Sequence, residues 1–184
     1  MGYGEVWWLL RDDGVKTLGE AMTALRDAGL VAEHPELGVP QTLSDDGAQV
    51  PWDEADVNRR WCSGETVTAQ FWLNRETDVL VELVRSHQLL TFDLDGMTTA
   101  EARITVFAVL NAALSLTGTR AVLVARSLPD RGDEVLEAAT REPVGDALPF
   151  QPDLLVSAQG DGAFGVNIRL GSWLSQPAAT VRSF

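Results

Sequence analysis

The sequence predicts an α+β domain: a mainly antiparallel sheet of five to seven strands, with two main helices packed largely on one face. Three observations predict it. Three strand-like runs, 66–73, 78–85 and 88–94, follow one another with connections of a few residues, whereas parallel pairing needs long crossovers. Two segments, 17–28 and 98–117, carry helix start and stop signals. The element order, strand–helix–irregular stretch–three strands–helix–strand, lacks the regular alternation of a doubly wound parallel sheet. The 184 residues are read as one domain, 1–184, because a single core usually serves about 100–200 residues.

Glu5 to Leu10 (E-V-W-W-L-L) is short, aromatic and apolar, the pattern of a buried strand. Asp12-Asp13-Gly14 marks a turn, and Thr17-Leu18-Gly19-Glu20 fits a capping box. Leu18, Met22, Leu25 and Ala28 then form one helical stripe, closed by Gly29 at a left-handed cap position. Residues 31–64 are expected to be an irregular acidic segment. Pro35, Pro40 and Pro51 interrupt it, and no period of 2 or 3.6 persists.

In Thr66–Leu73, Val67, Ala69, Phe71 and Leu73 share a strand face. Asn74–Thr77 turns into a strand over Asp78–Arg85, and Ser86-His87 turns into another over Gln88–Leu94. Thr98-Thr99-Ala100-Glu101 is a second capping box, opening a helix that is apolar on most sides from Ile104 and closed by Gly118. Arg120–Ser127 reads as a strand and Asp130–Thr140 as a short helix. Asp153–Ala158 and Phe164–Leu170 read as two strands joined by Gln159-Gly160-Asp161-Gly162.

Twenty-seven acids against fourteen bases give a net charge of −13. That disfavours broad contact with nucleic-acid phosphates or anionic lipid, and favours a basic partner. Residues 1–64 carry 12 acids and 5 bases, the largest share of the excess. One cysteine, Cys62, excludes an intrachain disulfide, and with only His34 and His87 beside it a closed Cys/His zinc site is excluded too. No cofactor or metal is expected. The N-terminus has no basic n-region or long apolar run, and Ile104–Leu116 is shorter than the ~20 residues of a membrane span. A lone thiol and no span point to a cytoplasmic chain. The single Lys among fourteen bases suggests a GC-rich bacterial genome.

Thr91-Phe92-Asp93-Leu94-Asp95-Gly96-Met97-Thr98 resembles the first motif of the haloacid dehalogenase superfamily. The resemblance implies a Mg²⁺-dependent phosphatase or phosphotransferase, with Asp93 as nucleophile and Asp95 as acid/base. The competing reading of the same residues is a turn before a capped helix. The antiparallel setting and the absence of any Lys after Lys16 favour the turn. Gly160-Asp161-Gly162-Ala163-Phe164-Gly165 matches the letters of a dinucleotide loop, but that loop needs a following helix, and Val166–Leu170 is strand-like. Cys62 and His87 have no motif context for a nucleophile–base pair.

The function expected is therefore that of a non-enzymatic acidic binding protein. It would hold or neutralise a basic protein partner, as immunity proteins and secretion chaperones do. The expected contact is Trp52-Asp53-Glu54-Ala55-Asp56. Trp52 would be the anchor, and Asp53, Glu54 and Asp56 would be steering acids that can be neutralised without loss of stability. Trp7, Trp8 and Trp72 are expected in the core.

Overall fold

The computed structural model describes residues 4–11, 15–84, 88–125, 137, 152–158 and 164–167. Its elements are β1 (Glu5–Leu10), α1 (Val15–Asp27), β2 (Gln41–Leu43), β3 (Gln49–Pro51), α2 (Glu54–Ser63), β4 (Val67–Trp72), β5 (Asp78–Val84), β6 (Leu89–Asp93), α3 (Thr99–Ser115), β7 (Thr119–Ala125), β8 (Leu154–Ala158) and β9 (Phe164–Asn167). Among the described residues nine strands form one sheet in the order β3-β2-β4-β5-β6-β1-β7-β8-β9, and every neighbouring pair is antiparallel. The α+β class and the antiparallel sheet agree with the sequence. Strand and helix numbers exceed the expectation because residues 31–64 are not an irregular connector. They hold the β2–β3 hairpin and helix α2.

The first strand of the chain lies in the middle of the sheet, between β6 and β7. Such a strand must be apolar on both faces. In β1, Val6, Trp8 and Leu10 join the main core, and Trp7 and Leu9 join a second cluster on the opposite face. The main core is roofed by the three helices: Leu18, Ala21 and Leu25 from α1, Val57 and Trp61 from α2, and Ala102, Val106 and Val109 from α3. Helix α1 packs beside α3 on one side and α2 on the other.

Helix α1 starts two residues before the expected capping box, so Thr17 lies within the helix. Glu20 instead faces Lys16 one turn back, at 3.6 Å. Its C-terminus closes as expected. Gly29, at φ 99°, donates to the Arg26 carbonyl, and Leu30 donates to that of Leu25, a Schellman closure. The Thr98 capping box of α3 is present on both sides: Thr98 Oγ1 accepts from the Glu101 amide, and Glu101 accepts from the Thr98 amide. Thr77 also donates to Glu101, at 2.6 Å, tying the β4–β5 turn to the start of α3. These bonds hold the Glu101 carboxyl below its ordinary value, the Thr77 bond contributing most.

Gly118 does not close α3. The helix ends at Ser115, with Leu116 extended as its cap. A side chain does part of the closing work. Trp8 Nε1 donates to Thr119 Oγ1 at 2.9 Å, and that hydroxyl donates to the Ala113 carbonyl at 2.6 Å. Both bonds are buried, and they join β1, β7 and the last turn of α3. The Asp12-Asp13-Gly14, Ser86-His87 and Gly160-Asp161-Gly162 turns and, apart from Glu137, the expected helix at 130–140 lie outside the described residues. β8 and β9 pair antiparallel, however, so a strand and not a helix follows Gly160-Asp161-Gly162 in the chain.

Thr119→Val keeps the shape of the side chain and removes both hydrogen bonds. It should lower unfolding free energy by about 1–3 kcal/mol, the usual cost of stranding buried polar groups. Urea unfolding measures this, and a change below ~0.5 kcal/mol would contradict the role given to Thr119.

Candidate functional site

Residues 52–56 form the start of α2. Asp53 is its N-cap, accepting from the amides of Ala55 at 2.9 Å and Asp56 at 3.2 Å. Glu54 and Asp56 occupy the first turn, where carboxylates oppose the positive end of the helix dipole. Trp52 and Val57 fall at the two positions of a hydrophobic staple, and both belong to or pack on the main core. At the other end Gly64, at φ 85°, donates to the Arg60 and Trp61 carbonyls. The acidic cluster is thus first a helix-start signal.

The structure divides the four expected contact residues. Trp52 is half-buried and lines a cleft of about 250 Å³ between α1 and α2. Glu54 lines the same cleft and makes no ion pair among the described residues. Asp53 is committed to its capping bonds, and Asp56 pairs with Arg59 at 2.7 Å. Arg59 also meets Glu65 at 3.5 Å, and Arg60 reaches Glu65 at 3.3 Å. Salt bridges and the Ser63 hydroxyl keep the Glu65 carboxyl low, Ser63 contributing most.

Leu18, Met22 and Phe71 form the apolar lining of the cleft; Thr23 and Asn58 add polar groups. Arg26 also lines the cleft, 3.6 Å from Glu33. Sequence reasoning missed the α1 residues of this cleft. Met22 and Leu18 read only as a core stripe, and nothing in the sequence brings them to Trp52.

The other tryptophans divide as well. Trp61 is buried on the inner side of α2, and Trp7 and Trp8 are buried in β1. Trp72 is only half-buried. The His34 ring meets it edge-on at 4.7 Å, with His34 Nδ1 accepting from the Glu36 amide. Cys62 is an exposed free thiol, and His87 lies outside the described residues.

The fold implied by the dehalogenase resemblance is not the one formed. That family places its motif on a central parallel strand, and β6 is antiparallel to both neighbours. Asp93 Oδ1 accepts from the Asp95 amide at 2.8 Å, which closes the turn at Asp95-Gly96. Asp93 sits across from Glu5 in the β1–β6 register. Burial, then the charges of Asp93 and Glu82, push the Glu5 carboxyl up against the pull of the Trp7 indole bond. The folded chain therefore holds this proton more tightly than the unfolded one. The stability Glu5 contributes is present at low pH and is lost as pH rises from the ordinary carboxylate range through the raised value. Among the described residues no group of three or more His, Cys, Asp or Glu side chains is placed to hold a metal ion. No helix there is long and apolar enough to cross a membrane.

Comparison with known proteins gives no match to a family, to a curated protein or to a solved structure.

The division of the acids has a direct consequence for stability. Asp53→Ala should cost about 1 kcal/mol through loss of the cap, while Glu54→Gln should stay within ~0.5 kcal/mol of the parent. Chemical denaturation of the two variants checks this. Equal stabilities would contradict the capping role of Asp53.

Proposed function

We propose that this chain is a non-enzymatic binding protein that holds or neutralises a basic protein partner, as immunity proteins and secretion chaperones do. The α1–α2 cleft receives an Arg or Lys side chain of that partner. The observation that carries this reading is that Trp52 and Glu54 line one cleft. An indole and a carboxylate lining one cleft can attract a cation through both the ring quadrupole and direct charge. At about 250 Å³ the cleft is smaller than the roughly 300–1,000 Å³ that enclose small-molecule ligands, so it suits an inserted side chain better than a cofactor. The net charge of −13 steers a basic protein from a distance, and acids act mainly on association rate. Trp52 acts mainly on dissociation, as buried aromatic anchors do. Arg26 does not defeat the site, because Glu33 stands against it. A single exposed thiol fits a reducing cytoplasm.

An Arg-rich peptide and the same peptide with citrulline in place of Arg test the reading by calorimetry. The Arg peptide should bind and the citrulline peptide should not. Trp52→Ala should weaken binding by about 2 kcal/mol, roughly 30-fold. Glu54→Gln should weaken it more than neutralising Glu36, an exposed acid outside the cleft. Equal effects of Glu54→Gln and Glu36→Gln would mean that the attraction is diffuse and the cleft is not the site.

A further inference from the structure

We infer that the exposed stripe of α3 is an interface with a second copy of this chain. Helix α3 buries most of its circumference against the sheet and α1. Its outward line is nonetheless apolar: Ile104 is 39% exposed, Phe107 45% and Leu114 48%. Asn111 is the exposed residue between the last two. The spacing along 104, 107, 111 and 114 is 3, 4, 3, the seam spacing of paired helices.

That spacing is the same read in either direction. Two copies of α3 crossed antiparallel about a two-fold axis near residue 109 set Ile104 level with Leu114 of the second copy, and Phe107 level with Asn111. One surface then meets itself without any change of register, as an isologous contact requires.

The charges favour the same occupant. No charged residue lies between Arg103 and Arg120, so two chains of net charge −13 can meet along this line without opposing acids. The last turn of α3 has no basic residue of its own. In the antiparallel pair Arg103 of one copy lies level with Ser115 of the other, at the negative end of that helix dipole. The stripe is separated from the α1–α2 cleft by α1, so self-association leaves the cleft open.

Sedimentation velocity on the full chain, from about 1 to about 100 μM, tests the inference. A monomer–dimer equilibrium is expected. It should be lost in Phe107→Glu and in Leu114→Glu, and kept in Leu37→Glu, which charges an exposed apolar residue away from α3. Thermal melts of the same samples check folding, and Phe107→Ser is the milder second variant. Raising NaCl from about 0.05 to about 0.5 M should tighten the dimer, because salt screens the mutual repulsion of two acidic chains. A monomer throughout this range overturns the inference. So does a dimer that survives both α3 substitutions, that depends on Leu37, or that salt weakens.

Discussion

The Trp8 indole, the Thr119 hydroxyl and the Ala113 carbonyl form a buried chain that sets where everything else can go. Trp8 belongs to β1, Thr119 begins β7, and Ala113 lies in the last turn of α3. A buried indole N–H and a helix-end carbonyl each need a partner, and one hydroxyl between them serves both. With β1 held against β7 on this side and β6 on the other, α3 must lie over the centre of the sheet. Helix α1 then packs against α3, and α2 packs beyond α1 over β4. The cleft with Trp52 and Glu54 is the gap left at the outer helix pair.

The sheet uses its second face in two ways. Around β1, β6, β7 and β8 it is apolar and buried, through Trp7, Leu9, Leu89, Leu123 and Leu155. Toward β4 and β5 it is polar: Gln70 takes a bond from Gln49 at 2.9 Å and gives one to Asp78 at 2.7 Å. Glu5 stands at the junction, partly desolvated and facing Asp93, which accounts for the upward shift of its proton affinity.

Much of this was legible in the sequence for a physical reason. The β4–β5–β6 meander and α1 are long enough to repeat their period, β1 and α3 are continuous apolar runs, and the Thr98 capping box names the start of α3 by its own chemistry. Helix α2 was not legible, because only Val57 and Trp61 face the core and one such pair makes no period. The signals that could have found it were Asp53 as cap, Glu54 and Asp56 in the first turn, and Gly64 as the left-handed stop. In sequence alone, three acids within four residues also fit a steering cluster. The three-residue strands β2 and β3 carry no period at all, and β3 ends on Pro51. The central place of β1 was hidden too, since β7 lies more than a hundred residues along the chain. Of the candidate site, Trp52 and Glu54 were legible as residues, but the cleft was not. It exists only once Leu18 and Met22 of α1 stand opposite them.

Everything proposed for this chain's function depends on whether a cation enters the α1–α2 cleft lined by Trp52. The most direct measurement is the set of indole N–H resonances in a ¹H–¹⁵N spectrum, assigned by single substitution and followed as arginine amide is added. A saturable shift of the Trp52 signal is expected, absent in Glu54→Gln, with the buried Trp8 and Trp61 signals unmoved. Uniform small shifts across the signals, or a Trp52 shift that persists in Glu54→Gln, would contradict it.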